Sequence, residues 1–189
     1  GVITAVGTNV AVPSDAIIVD VSGRHVYPGL IEPVSRLGLA EINSVRATVD
    51  YIETGDINPN VRAETAVNAD SERIPVTRSN GIAVTSTLPS GGLISGQSAV
   101  IMLDGWTWED MTLKSSAGMV VSWPRMTVTP AFGAAKSGDD RRKSIKDRID
   151  LLERTISEAK AYMTARDAAG GKGVPYHRGD VRWDAMIPV

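Results

Sequence analysis

Gly23-Arg24-His25-Val26-Tyr27-Pro28-Gly29-Leu30-Ile31-Glu32-Pro33-Val34-Ser35-Arg36-Leu37-Gly38 sets the architecture of this 189-residue chain. Val26 to Ile31 leads through the Pro28-Gly29 turn pair into a β-type run. The residues that follow include an acid, Glu32, and a cation, Arg36, with Val34 between them. Valine has no donor atom for a metal, and a guanidinium has no free lone pair and carries a positive charge. The chemistry open to this run is therefore that of an acid and a cation.

Working outward, the chain of 20.1 kDa is long enough to bury one ordinary core. Hydrophobic residues make up 42% and charged residues 22%, the balance of a soluble globular protein. A net charge of -2 gives no electrostatic case for nucleic acid or an anionic membrane. No apolar run approaches the ~20 residues that span a bilayer. Cysteine is absent, which excludes disulfides and thiolate zinc sites. His25 and His177 are the two histidines, so a multi-histidine metal centre cannot be built from this chain.

Short β-type runs occupy residues 2–6 and 16–21, with Val12-Pro13-Ser14-Asp15 as a turn between them. Asn43-Ser44 can cap a short helix over Val45 to Ile52, with Val45, Val49 and Ile52 on one face. Asp70-Ser71-Glu72 starts another helix, and Asn80-Gly81 ends it with a left-handed cap signal. Ile82 to Leu88 is a second β-branched strand, followed by the loop Pro89 to Ser98 and a strand over Ala99 to Leu103. Gly118 to Pro124 is expected as the third principal strand, and Pro130 to Gly138 as a small-residue linker. Ile145, Ile149, Leu152, Ile156, Ala159 and Met163 recur at spacings of four and three, predicting a long helix over about 139–169. Asp139 and Asp140 favour its start and Gly170-Gly171 its end. The stripe suits either an outer layer of helix on sheet or a short dimer seam.

Pro28-Gly29-Leu30-Ile31-Glu32-Pro33-Val34-Ser35-Arg36-Leu37 resembles the first barrel strand of the metal-dependent amidohydrolase superfamily, which usually reads Pro-Gly-Leu-Ile-Asp-x-His-x-His-Leu. Val34 and Arg36 stand where the two metal-ligating histidines would be. The stretches Glu41-Ile42 to Asn60, Asn68 to Pro75, Gly91 to Gln97 and Asp104-Gly105-Trp106 resemble an imidazolonepropionase-like subgroup in which the paired histidines are often missing. The resemblance covers most of the chain. It implies an α/β fold: residues 1–27 as part of a small N-terminal β-sandwich, and 28–189 as the first strand-helix units of a partial TIM-type (β/α) barrel. It implies hydrolysis of a non-peptide C–N bond, in a cyclic or linear amide, by metal-activated water. The divalent, zinc-like ion would be held by residues outside this segment, which carries no cofactor ligands and by itself is expected to be inactive. The alternative is a non-catalytic relative serving as a binding module or scaffold.

A complete barrel takes ~250 residues, and both ends of the chain read as internal to something longer. The expected partner is the remainder of the same polypeptide or a companion chain that completes the barrel, with self-association as the other outcome. Neither nucleic acid nor membrane is expected as a partner. Proteins of this kind include exported bacterial ones, and a soluble protein is expected here.

Arg36 could bind a substrate carboxylate or phosphate through its planar fork, or pair with an acid such as Glu32. Glu32 could act as a general base, or be structural. Ser95 and Gln97, in the glycine-rich loop, could contact substrate, or the loop could be a plain turn. That loop has neither the lysine of a phosphate-binding P-loop nor a nucleophile-elbow pattern. Trp106, Trp108, Trp123 and Trp183 could line a pocket, though burial between sandwich and barrel is the favoured reading. His25 and His177 are assigned surface or structural roles.

Overall fold

Leu30–Ser35 (β1) and Ile82–Thr87 (β2) pair in parallel in the computed structural model, which describes residues 2–127, 138–171 and 179–187. Parallel neighbours need a crossover of a dozen or more residues, and residues 36–81 provide it. That crossover contains 3₁₀ turns at Arg46–Thr48 and Ala63–Ala66 and the helix Arg73–Ser79 (α1). Asn80 caps α1 and Gly81 follows in the left-handed region, as the sequence predicts. Pro75 sits in the first turn, where a missing N–H leaves no helix bond unmade.

The helix expected over residues 45–52 shrinks to the turn at Arg46–Thr48. Val45, Val49 and Ile52 are β-branched and resist helix. Thr48 Oγ1 instead donates to the carbonyls of Ile42 and Val45, and Ala40 bridges to Val49 in antiparallel fashion. Val49 is buried, whereas Val45 and Ile52 remain exposed.

Ile94–Met102 (β3) and Thr112–Val121 (β4) complete a four-stranded sheet of order β1-β2-β3-β4. Both run antiparallel to their neighbours, which corrects the expectation for residues 118–124. Residues 118–121 are the end of β4, paired antiparallel with β3 through Ser98↔Gly118 and Gln97↔Met119, so they make no parallel pair with a neighbouring strand. The connections explain this. Residues 88–93 and the segment around the one-turn helix Trp108–Met111 (α2) are too short for a crossover, so the chain folds back. β1 is the outer strand of the sheet. The runs at 2–6 and 16–21 form no ladder among the described residues, and Val2, Ile3, Val6, Ile17, Ile18 and Val19 are exposed.

β3 is the most enclosed strand, and it begins at Ile94, inside the loop predicted for residues 89–98. On one side Ile101 and Leu103 pack with Leu39, Ala63, Val67 and Ile74 from the crossover and with Met111. On the other, Leu93 and Ile94 meet Leu152 of the long helix Gly138–Gly171 (α3). The buried stripe of α3 runs Leu152, Thr155, Ala159, leaving Ile156 on its exposed margin. Thr155 fits because its hydroxyl donates to the Leu151 carbonyl. A last helical turn, Val181–Asp184 (α4), joins α3 where Tyr162 Oη donates to Asp184.

Residues 52–62 lie against the start of β3 and are fastened to it by backbone. Leu93 and Ile94 N–H both donate to the Asp56 carbonyl, and Gln97 N–H donates to Val61. Contact this close requires glycine. At Gly92 (φ +66°) a Cβ would lie 2.7 Å from the Gly55 carbonyl oxygen, and that neighbour is backbone, which cannot rotate away. Gly92→Ala is expected to destabilise the fold by on the order of 2–4 kcal/mol. Gly118→Ala, where the new Cβ meets Ser98 Oγ at an ordinary 3.7 Å, should change stability little. Chemical denaturation of the two variants checks this, and equal midpoints would refute it.

Candidate functional site

Because β1 and β2 run parallel, their carboxyl ends lie at the same edge of the sheet. In α/β folds that edge is where ligands bind, since loops and unpaired backbone groups converge there. A cleft of about 730 Å³ opens at this edge and runs along β1 towards α1. Its walls include Glu32, Val34, Arg36, Arg73, Thr77 and Ser90. Apolar surface comes from Leu37, Ile82, Leu88 and Pro89. Ser35 and Thr85 also face it, but their hydroxyls are bonded to each other at 2.7 Å, with Thr85 Oγ1 donating to the Glu32 carbonyl.

Arg36 follows β1 immediately. Its guanidinium carbon lies 4.1 Å from the centre of the Tyr51 ring, and Nη2 donates to Ser90 Oγ at 3.3 Å. Stacking occupies the flat face of the guanidinium and leaves in-plane N–H donors free to bind. Among the described residues Arg36 has no carboxylate partner, so the predicted pairing with Glu32 does not form. Glu32 is half-buried and accepts from the Val34 N–H at 3.2 Å. It lines the same cleft as Arg36 without an ion pair to it.

The other predicted contacts are not gathered here. Ser95 is buried and donates to the Gly91 carbonyl at 2.7 Å, closing the glycine turn. Gln97 is buried too. Its amide nitrogen donates to the carbonyls of Pro59 and Ala185, and its carbonyl accepts from Ser116. Ser116 holds φ +46°, a left-handed conformation rare for serine. Gln97 and Ser116 line a second hollow of about 810 Å³ beside α4. Trp106 and Trp123 are exposed, against the expectation of burial, and Trp108 packs against the core. His25 is exposed beside Tyr27. His177 lies outside the described residues.

Arg73 and Ser90, which line the cleft, and Tyr51, on which Arg36 stacks, escaped the sequence reading; they are reached through the crossover and the β2–β3 turn, and no local pattern marks them. Glu64 was also missed. Its side chain is fully buried, with Oε1 2.6 Å from Arg62 Nη2, and Oε2 has no hydrogen-bond partner among the described residues. Arg62 continues to Ser115 Oγ, tying the crossover to β4.

The divalent metal implied by the resemblance does not fit these residues. Val34 offers no donor and Arg36 repels a cation. Among the described residues no group of three or more His, Cys, Asp or Glu side chains is placed to hold a metal. Among the described residues no helix is long and apolar enough to cross a membrane.

No family model matches the sequence, and no curated protein matches it. The structure is similar to the crystal structure of an amidohydrolase from Thermotoga maritima MSB8, with a TM-score of 0.76 at 21% sequence identity. The likeness covers 96% of this chain and 46% of that one, so the chain spans about half the length of that structure. At this identity the likeness establishes a shared fold.

The Arg62–Glu64 pair yields a test of its own. Arg62→Ala leaves a buried carboxylate without its partner and should cost about 2–4 kcal/mol. Adding Glu64→Gln to Arg62→Ala should recover part of that loss in urea denaturation. Equal stability of the wild type and Arg62→Ala would show that Glu64 does not depend on the pair.

Proposed function

We propose that the chain is the opening part of an amidohydrolase-like (β/α) barrel, and that its cleft binds an anionic group of the substrate through Arg36. The observation that supports this reading is the Arg36 side chain. It sits just past a parallel strand, stacked on Tyr51, with no carboxylate partner among the described residues. Its planar fork suits bidentate recognition of a carboxylate or phosphate. Fold alone does not determine activity, so the reaction is inferred by analogy: hydrolysis of a non-peptide C–N bond in a cyclic or linear amide. A divalent ion in such an enzyme lowers the pKa of bound water. Val34 and Arg36 supply it no ligand, so no step is assigned to them.

The loss of ligands favours a second reading, a non-catalytic relative that keeps the cleft as a binding module. The two are separated by assaying the intact protein with zinc or manganese on hydantoin-like and imidazolone-like amides, alongside metal analysis. Stoichiometric metal with turnover is expected for the hydrolase. Metal-free protein without turnover would favour the binding module.

We further propose that the exposed apolar side chains of β1, Leu30, Ile31 and Val34, are covered by the segment that completes the barrel. The support is the neighbour's length, of which this chain matches 46%, together with the unpaired outer edge of β1. Exposed strand edges with apolar side chains associate. The 189-residue chain alone should therefore form concentration-dependent oligomers in light scattering, and Ile31→Lys should reduce them. A monomer at all concentrations would count against the missing cover.

A further inference from the structure

We propose that Arg73 is the second arm of an oxyanion site in this cleft, so that a ligand carboxylate or phosphate is held between the Arg36 and Arg73 guanidinium groups. The proposal deepens the reading of Arg36 as an anion-binding residue and rests on it. Several arginines elsewhere in the fold are neutralised where they are fixed: Arg62 by Glu64, Arg78 by Asp104, Arg148 by Asp56 and Arg166 by Asp184. Arg46 is held by a neutral group, the Val49 carbonyl, but does not line the cleft. Arg36 and Arg73 are also fixed by neutral groups, and these two line the cleft. Arg36 rests on the Tyr51 ring and donates to Ser90 Oγ, while Arg73 Nη1 donates to the Ala40 carbonyl at 3.0 Å. A guanidinium has five N–H donors, so both keep donors and their whole charge for a third party.

Both arginines line the one cleft, and Glu32 is the single carboxylate among its lining residues. Two positive charges and one negative leave it with an excess of one positive charge. Glu32 lies within ion-pair reach of neither arginine among the described residues, so that excess is not spent inside the cleft. Holding the two side chains before the ligand arrives reduces the entropy that binding must overcome. The Ser90 hydroxyl adds a neutral partner, whereas Thr77 Oγ1 donates to the Arg73 carbonyl at 2.7 Å and helps hold that turn of α1; Leu88 and Pro89 offer an apolar wall. The ligand class that matches is a small molecule with one oxyanion on an apolar body.

Benzoate and phenyl phosphate carry the two forms of that chemistry, with inorganic phosphate as a probe lacking the apolar body. Calorimetric titration of the full 189-residue chain at low ionic strength should show one site for benzoate or phenyl phosphate, and weaker binding of inorganic phosphate. Which of the two binds more tightly identifies the group as carboxylate or phosphate. Arg36→Gln and Arg73→Gln should each weaken binding by about tenfold or more. Arg142→Gln, on the exposed face of α3, should bind as the wild type does. Arg73→Lys keeps the charge and a donor for Ala40, so it should stay folded by circular dichroism and bind better than Arg73→Gln. If Arg73→Gln is folded and binds like the wild type while Arg36→Gln does not, the second arm is overturned and the Arg36 reading stands. If Arg36→Gln binds like the wild type, or the wild type binds none of the probes, both are overturned.

Discussion

The parallel pairing of β1 with β2 is the constraint on which the rest of the molecule depends. Two parallel neighbours cannot be joined by a hairpin, so residues 36–81 pass over the sheet before the second strand begins. That passage brings Leu39, Ala63, Val67 and Ile74 onto Ile101 and Leu103 and makes the larger cluster of the core. It also carries Tyr51 to Arg36 and places Arg73 on the wall of the same cleft. The strands come very close at the start of the pair, where a Cβ on Gly29 would lie 2.4 Å from Ala83 Cβ. The Pro-Gly step that opens the strand is thus a packing requirement as well as a turn signal.

The second half of the sheet obeys a different rule. Short links after β2 and β3 permit only antiparallel returns, and β3 lies enclosed between the crossover and α3. The glycine-rich turn before it reads in sequence either as a substrate-facing loop or as a plain turn. In the fold it lies under residues 52–62, with Ser95 and Gln97 bonded to neighbouring carbonyls. Arg148 of α3 donates to the Gly92 carbonyl at 3.3 Å and helps dock the long helix over this turn. The glycines allow backbone to touch backbone, and that is sufficient reason for them.

The proposed function rests on the charge at one edge of the sheet. Where the superfamily resemblance implies neutral imidazoles around a cation, this chain has a valine and a guanidinium, the charge on which the proposed anion site rests. Fixing Arg36 on an aromatic ring and Arg73 on a carbonyl leaves both charges unquenched. The shared fold accounts for where the cleft lies, and the residue types account for what it can hold.

The order of the first two strands, the short helix ending at Asn80-Gly81 and the long α3 were legible in the sequence, because each rests on local chemistry: β-branched runs, caps and 3.6-residue spacing. The identity of residues 34 and 36 was equally plain, and with it the exclusion of metal ligation there. Strand direction after β2 was not legible, since it depends on how many residues separate partners that only pairing defines. The turn at Arg46–Thr48 was misread as helix because its spacing matched one, while hydrogen bonds from Thr48 and a bridge to Ala40 decided otherwise. Tyr51 and Ser90, which touch Arg36, and Arg73, which shares its cleft, carry no local mark, for they lie 15 to 54 residues along the chain from Arg36 and come together only once the crossover has folded over the sheet. The sequence determined which residue types stand at positions 34 and 36; tertiary packing decided which residues share the cleft, because contact between distant positions is a property of the folded chain.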